Sequence, residues 1–339
     1  MTTPQPHDPP APALSRRDAL KLSALAAGAA GAAALGLAPT ARPARAATLA
    51  APPAPTRSLR IAHLTDPHIQ PERRAAAGVA ACLAHVQALA DKPALILTGG
   101  DLIMDSFDTG LDRAKLQWDL WLKTFKDHCN LPLHHTLGNH DSWGWNKSKS
   151  GTTGSEPGWG KRLAIDTLGL PNSYHSFTQR GWKFIVLDST FPDGDGYIAR
   201  LDDQQFEWLT GELAATPPAT PVLICSHMPI LTATALLTEK PEVSLQRSIP
   251  AGFMHVDAKR LVRLFAKHPN VKLCLSGHIH EVDRVDFQGV TYFCDGAVSG
   301  SWWKGPNNTC HEGYAVLDLF DDGTFRRDYI PYGWKADPA

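Results

Sequence analysis

The 339-residue sequence has few cysteines, almost no net charge and no strongly apolar run. Six cysteines in a chain of this length do not indicate a disulfide framework, and without a Cys-x-x-Cys pair a thiolate zinc site is not expected. A formal net charge of −1 gives no indication of a nucleic-acid-binding surface. The composition is otherwise that of an ordinary globular chain, apart from a high count of 15 histidines.

Residues 1–46 have the pattern of a cleavable export signal. Arg16-Arg17 precede a stretch of Ala, Leu and Gly, and Ala44-Arg45-Ala46 follow as a small-residue cleavage pattern. The order resembles a bacterial twin-arginine signal, although Ala19 stands where Phe is usual. A membrane anchor and an Ala-rich tail are the alternatives, but the Ala- and Gly-rich stretch is too weakly hydrophobic to predict a spanning helix.

The signal implies a periplasmic or secreted protein that uses the twin-arginine export machinery and keeps no stable membrane anchor. Residues 47–58 include three prolines and are interpreted as a linker. The length allows one large domain, which we place at residues 59–333, followed by a tail at residues 334–339.

Five apolar, strand-like runs are each followed within a few residues by Asp, Asn or His. Segments with apolar residues at helical spacing lie between several of these runs, and hairpin-like strands follow from Arg284 to Ile330. The pattern predicts an α/β domain with a mixed sheet or pair of sheets. Because α/β sheets bind ligands at the carboxyl ends of their strands, these polar side chains should meet at one edge. They are Asp66, His68, Asp101, Asn139, His140, Asp141, His227, His278 and His280.

Carboxylate, amide and imidazole ligands suit Zn, Mn, Fe or Co, whereas Mg and Ca sites use almost no imidazole. The spacings Asp66-x-His68 and His278-x-His280 place two ligands on the same side of an extended segment. Without His140 and Asp141, seven candidate ligands remain, too many for one ion and about right for two ions that share a carboxylate.

The ordered set Asp-x-His, Gly-Asp, Gly-Asn-His-Asp, His and Gly-His-x-His, from Leu59 to His280, resembles the calcineurin-like metallophosphoesterase superfamily. The resemblance implies a four-layer fold of two packed mixed β-sheets flanked by helices. It also implies two divalent ions (Mn, Fe or Zn) and a bridging hydroxide that attacks phosphorus in line. The implied ligands are Asp66, His68 and His280 for one ion and Asn139, His227 and His278 for the other, with Asp101 bridging. His140 and Asp141 are the implied catalytic residues, His140 facing the substrate phosphate and Asp141 orienting the site.

Two features bear on the subclass. Met104 stands where purple acid phosphatases have a Tyr, so an iron–tyrosinate centre is not expected. Gly99-Gly100-Asp101-Leu102 resembles the bacterial cyclic-nucleotide and glycerophosphodiester phosphodiesterase branch, although export away from cytoplasmic cyclic AMP weakens a cyclic-nucleotide assignment. We therefore expect a phosphodiesterase acting on a small phosphoester. A phosphomonoesterase and a non-catalytic exported metal-binding protein are the alternatives.

Several other features have two interpretations. Trp302-Trp303 could stack on a base or sugar, although packing against the core is the default, and His255 could reach the substrate. Residues 142–160 are predicted to form a loop beside the site. Lys161 belongs to a loose basic stretch that could attract a phosphate, although solvated surface is the default. Residues 193–196 are interpreted as a turn rather than a calcium loop, and a Cys294–Cys310 disulfide is conceivable in an oxidising compartment.

Overall fold

The computed structural model describes residues 54–237 and 248–337. The strands are β1 (Arg57–Leu64), β2 (Leu95–Thr98), β3 (Leu133–His134), β4 (His175–Gln179), β5 (Trp182–Leu187), β6 (Thr190–Asp193), β7 (Gly196–Ala199), β8 (Val222–Ser226), β9 (Val271–Ser276), β10 (Asp283–Phe287), β11 (Val290–Cys294), β12 (Gly313–Phe320) and β13 (Phe325–Pro331). The helices are α1 (Ala75–Ala88), α2 (Leu111–His128), α3 (Lys147–Ser150), α4 (Arg162–Leu168), α5 (Asp203–Ala215) and α6 (Ala258–Phe265), with a 3-10 turn at Thr234–Leu237.

Two mixed β-sheets form the centre of the fold. The first has the order β13-β12-β1-β2-β3, in which β1, β2 and β3 are parallel and the other pairs are antiparallel. The second has the order β10-β11-β9-β8-β5-β4, in which β11, β9, β8 and β5 are parallel. The hairpin β6–β7 forms a separate two-stranded sheet.

Strand β1 shows why the sheets stack. Side chains alternate across a strand, so Leu59 and Ile61 lie in the apolar cluster between the two sheets, while Ala62 and Leu64 lie in the cluster under α1 and α2. On the other side, β8 and β9 contribute to a third cluster that packs against α5 and α6. The layers are therefore helix, sheet, sheet, helix, and the predicted fold class of two packed mixed sheets flanked by helices is confirmed.

The domain boundaries stay predictions. The proposed signal (residues 1–46) lies outside the described residues, and β1 begins at Arg57, inside the proposed linker. Trp334, in the proposed tail, packs its ring 5.7 Å from that of Trp303. No helix in the described part of the chain is long and apolar enough to cross a bilayer. The interpretation of residues 193–196 as a turn agrees with the hairpin, whose strands end at Asp193 and restart at Gly196.

Candidate metal centre

The predicted ligands come together where strands of both sheets end. Strands β1, β2 and β3 run parallel, so the segments that follow them leave the first sheet at one edge; β8 and β9 do the same in the second sheet. A hydrogen bond crosses between these two groups of loops, because the backbone N–H of His278 donates to Asp66 Oδ2 at 2.9 Å. Asp66, His68, Asp101, Asn139, His227 and His280 are buried, and His278 is half-buried.

Asp66, His68 and His280 form a first cluster whose ligand atoms lie within 4.8 Å of one another. His280 Nε2 lies 3.2 Å from Asp66 Oδ1 and 3.1 Å from His68 Nε2. His280 Nδ1 donates to the carbonyl of Gly300 at 2.6 Å, so in the neutral ring Nε2 carries the lone pair. Asp66 Oδ1 is buried and has no hydrogen-bond partner within the described residues. An unpartnered carboxylate oxygen beside two facing imidazole nitrogens fits a divalent cation.

Asp101, His227 and His278 form a second cluster of the same size. His227 Nε2 lies 3.2 Å from Asp101 Oδ2 and 3.2 Å from Asn139 Oδ1, while its Nδ1 donates to the Gly99 carbonyl at 2.7 Å. Burial lowers the pKa of His227, but Asp101 and Asp66 outweigh it and raise the pKa to about 10. Burial lowers the pKa of His278 to about 3. The donor set again suits a borderline divalent ion.

Asp101 faces both clusters. Its Oδ2 lies 3.2 Å from His227 Nε2 of the second cluster and 3.7 Å from His68 Nε2 of the first. Its Oδ1 accepts a hydrogen bond from the backbone N–H of His140 at 2.9 Å, which fixes the carboxylate plane. The Asp101 carboxylate therefore lies between the two groups of candidate ligands.

His140 stands at the front of the centre. Its ring lies edge-on to that of His68, with centroids 4.9 Å apart, and its side chain keeps 26% of its surface exposed. His140 Nδ1 is 3.6 Å from Asp105 Oδ1. Burial lowers the pKa of His140, but Asp101 and Asp105 together raise it to about 9. A partly exposed imidazole beside the candidate ligands can donate a hydrogen bond to an anion.

Asp141 lies behind the centre, and its carboxylate is fully engaged with backbone groups. Oδ1 accepts from the N–H groups of Leu102 and Ile103 at 2.9 and 3.3 Å, and Oδ2 accepts from that of Gly138 at 2.8 Å. Burial raises the pKa of Asp141 to about 7. Its contacts join the loops after β2 and β3, which supports the orienting role expected of it more than direct contact with substrate.

Two glycines make room for the ligand carboxylates. A Cβ on Gly138 would lie 2.1 Å from Asp101 Oδ1, and a Cβ on Gly277 would lie 2.2 Å from Asp66 Oδ2. Asp66 Oδ2 also accepts a hydrogen bond from the Thr65 hydroxyl at 2.5 Å. The glycines before Asn139 and His278 therefore serve close packing of the ligands, a role that sequence alone could not assign.

A family model described as calcineurin-like phosphoesterase matches residues 59–282, about two-thirds of the chain. The chain belongs to this family. It is 24% identical over 300 residues to a 3′,5′-cyclic-nucleotide phosphodiesterase of Nostoc, covering 83% of this chain and 96% of the relative. It is also 27% identical to the 3′,5′-cyclic adenosine monophosphate phosphodiesterase of Escherichia coli, over 48% of this chain and 54% of the relative.

Among solved structures, a dimetal phosphatase of Danio rerio superposes with a TM-score of 0.52 at 15% identity, covering 82% of this chain and all of that one, which shows a shared fold. Family membership and the relatives' names together identify the chain as a metal-dependent phosphoric ester hydrolase. It carries candidate metal-binding residues consistent with divalent ions.

Two adjacent tryptophans have different places at the candidate metal centre. The ring of Trp302 lies 4.7 Å from that of His280 and 6.0 Å from that of His68, so it covers the first cluster. Trp303 is buried, and its indole N–H donates to the carbonyls of Pro67 and His68 at 3.1 and 3.0 Å. One tryptophan therefore lies at the site, and the other packs beneath the loop that carries the ligands.

Three further side-chain groups lie away from the ligand clusters. His255 does not reach the centre; it is buried, with Nε2 3.1 Å from the Ser226 hydroxyl and Nδ1 2.9 Å from Asp257 Oδ1. Lys161 is not solvated surface, because its ammonium contacts Asp188 Oδ1 and its side chain keeps only 11% exposure. Cys294 and Cys310 are both free thiols in this structure.

Proposed function

We propose that the protein is an exported phosphodiesterase that holds two divalent ions, with Asp101 as the ligand they share. The position of Asp101 carries this proposal, because one oxygen faces the nitrogens of both His227 and His68. Asp66, His68 and His280 would hold one ion, and Asn139, His227 and His278 the other. The N-terminal motif supports export to the periplasm or beyond, with removal of residues 1–46.

The residues present fit such ions because each cluster combines imidazole nitrogens with carboxylate oxygens, and in the first cluster Asp66 Oδ1 has no hydrogen-bond partner among the described residues. When bound, divalent ions of this kind supply Lewis acidity, which activates water and stabilises charge on phosphoryl oxygens. The protein orients its own ligands through second hydrogen bonds: the carbonyls of Gly99 and Gly300 fix the rings of His227 and His280.

His140 would contact the substrate. Its imidazole is partly exposed and lies edge-on to the ring of His68. The backbone N–H of His140 donates to Asp101 Oδ1, which fixes the main chain at this residue. In the protonated state it can donate a hydrogen bond to a phosphoryl oxygen or give a proton to the leaving alkoxide. Asp105, 3.6 Å from its Nδ1, would keep the ring in that orientation. Asp141 would act as a positioning residue through the three N–H groups it accepts.

A small phosphodiester is the favoured substrate. The Nostoc relative, named for 3′,5′-cyclic nucleotides, aligns along nearly its whole length, which supports a diester over a monoester. Export would place the enzyme outside the cytoplasm, so the diester would be one met there. No part of this proposal requires nucleic acid or a stable membrane anchor.

The test is an assay of stripped protein, beginning at Ala47, with Mn, Zn or Fe added back. Hydrolysis of bis(p-nitrophenyl) phosphate and of p-nitrophenyl phosphate is measured side by side for the wild type, His140→Ala and Asp101→Ala. We expect metal-dependent turnover that favours the diester, and a loss of about 100-fold or more in kcat for His140→Ala. The exposed His311 gives the matched control, His311→Ala, which should keep wild-type rates.

Preference for the monoester would replace the proposal with a phosphomonoesterase. Two bound ions with no turnover of either ester would favour the non-catalytic binding protein. Wild-type kcat in His140→Ala would remove that residue from the mechanism.

A further inference from the structure

The β6–β7 hairpin brings an aromatic side chain to the edge of the metal centre. Tyr197 lies on β7, and its ring centroid is 6.1 Å from that of His278, edge-on at 83°. The ring of Phe253 approaches the same histidine at 6.0 Å and 74°, and Phe107 lies 5.7 Å from Tyr197. We call Phe107, Tyr197 and Phe253 the aromatic wall. It begins at a ligand of the second cluster and extends away from it.

The wall is held by contacts on several elements. A Cβ on Gly252 would lie 2.8 Å from Tyr197 Cε2, so the tyrosine ring occupies space that the glycine leaves. The hairpin and the segment carrying Phe253 are joined by two backbone hydrogen bonds: Ala199 N–H donates to the Ala251 carbonyl at 2.9 Å, and Val256 N–H donates to the Ala199 carbonyl at 2.9 Å. These contacts fix the orientation of Tyr197 before any ligand arrives.

A further aromatic side chain packs against the wall on the side of Phe107. The buried Trp145 lies 6.0 Å from Phe107, edge-on at 80°. Phe107 is itself buried, with 8% of its surface exposed, whereas Tyr197 and Phe253 are half-buried. The accessible part of the wall is therefore the part nearest to His278.

The position of the wall indicates which part of a substrate would contact it. A phosphodiester whose phosphorus lies at the ligand clusters must place an organic substituent within a few ångströms of them, and the wall lies at that distance from His278. Aromatic side chains attract other planar rings edge-on or offset-stacked, and they attract saturated groups less strongly. Nucleobases and simple aryl groups share this chemistry.

We infer that the aromatic wall receives a planar aromatic substituent of the phosphodiester and that Tyr197 is the residue that determines this specificity. The inference rests on the proposed phosphoesterase function and adds a substrate class to it: aryl or nucleoside phosphodiesters, rather than alkyl ones such as glycerol esters.

The test compares binding of ligand pairs that share a phosphoryl group and differ in one ring. Calorimetry with manganese-loaded protein measures Kd for phenylphosphonate against methylphosphonate, and for adenosine 5′-monophosphate against ribose 5-phosphate. In the wild type we expect the ring-bearing member of at least one pair to bind about five- to tenfold more tightly. A preference in the first pair alone indicates an aryl substituent held close to phosphorus, and one in the second indicates a nucleobase.

The preference should fall to about one- to twofold in Tyr197→Ala and be kept in Tyr197→Phe, which retains the ring. Tyr197→Leu keeps the apolar bulk without the ring and gives a second reading if the alanine variant folds poorly. Phe287, which is 46% exposed on β10, gives the matched control Phe287→Ala, with unchanged Kd values.

A preference that persists in folded Tyr197→Ala and Tyr197→Leu, or that is absent from the wild type, would overturn the inference. Turnover of bis(p-nitrophenyl) phosphate, measured in parallel, separates the two proposals. Turnover without ring preference would contradict the role of the aromatic wall and retain the phosphodiesterase proposal. Ring preference without turnover would contradict the catalytic proposal and retain the wall as a binding surface.

Discussion

At the scale of single residues, the main feature is the backbone conformation of the proposed metal ligands. Asp66, His68, Asp101, His278 and His280 all have positive φ, between 42° and 70°. This region costs a non-glycine residue on the order of 1–3 kcal/mol, and Asp and His tolerate it better than most residues. A left-handed residue turns the chain sharply after a strand, which aims its side chain back across the strand ends. The backbone strain is therefore concentrated at the residues whose side chains point into the candidate metal centre.

Gly277→Ala tests how closely the ligands are packed. The new Cβ would lie 1.8 Å from Thr65 Oγ1 and 2.2 Å from Asp66 Oδ2, so the carboxylate must move. We expect metal affinity to fall about 10- to 100-fold, as when a partner of a ligand is lost, measured by calorimetric titration of stripped protein with Mn or Zn.

Gly211→Ala is the matched control for this substitution. Gly211 lies within α5, and a Cβ there would meet no described atom within 4 Å beyond its chain neighbours and the backbone of its own helix. Metal affinity should be unchanged, and stability should rise by about 0.5–1 kcal/mol because alanine is the better helix former. Wild-type metal affinity in Gly277→Ala would show that Asp66 is not a ligand held by this packing.

Residue types and spacing were enough to select the candidate ligands from the sequence. Asp-x-His and His-x-His after apolar runs carry that information because ligand chemistry depends on side-chain type. The roles of Trp302 and Trp303 could not be separated in this way. Their φ angles are 51° and 67°. The resulting turn places the Trp302 ring beside that of His280 and the Trp303 indole N–H against the carbonyl of Pro67. That difference depends on tertiary contacts rather than on local pattern.

At the scale of elements, Lys161 joins the segment that contains α3 and α4 to the end of β5. Its ammonium contacts Asp188 Oδ1 and the carbonyl of Thr190, and lies over the rings of Trp145 and Phe191 at 5.0 and 4.5 Å. A basic stretch in a sequence usually indicates solvated surface. The partners Asp188 and Thr190 lie about 30 residues further along the chain, so only the folded structure identifies this lysine as buried.

Lys161→Met should destabilise the protein by about 3 kcal/mol, because it leaves the buried Asp188 carboxylate without its cation. In a chain of this size this corresponds to a fall of about 6 °C in Tm, measured by thermal denaturation. The control is Lys149→Met, since Lys149 is 62% exposed and pairs with Asp108 at the surface. It should change stability by less than about 0.5 kcal/mol. Equal effects of the two substitutions would contradict a stabilising contact between Lys161 and Asp188.

At the scale of the whole molecule, the candidate metal ligands come from loops that follow strands of both sheets. Strand–helix alternation predicted the α/β class, and period-two burial explains how β1 contributes to two apolar layers at once. The short β3, the hairpin β6–β7 and its contact with residues 251–256 carry weak local signals. They depend on long-range backbone pairing, so the aromatic wall was not predictable from the sequence. The meeting of the Asp and His side chains at one edge was predicted, and the structure brings them together.

Metal removal should therefore destabilise the whole fold. Both sheets supply the proposed ligands, and Asp66 Oδ1 has no hydrogen-bond partner among the described residues, so bound ions would add contacts between the loops of the two sheets. Two ions at free concentrations about 100 times their Kd would contribute about 5 kcal/mol, or a rise of about 10 °C in Tm. Thermal denaturation of stripped and Mn- or Zn-loaded protein, with metal analysis of the same samples, measures both stability and stoichiometry.

The same measurement distinguishes the two clusters. His278→Ala should lower the stoichiometry from two towards one and reduce the rise in Tm, because it removes a ligand of the second cluster alone. Mg should stabilise the protein less than Mn or Zn, because most of the proposed ligands are imidazole or amide groups rather than carboxylates or water. One ion per wild-type chain, or an unchanged Tm on loading, would contradict the two-ion centre.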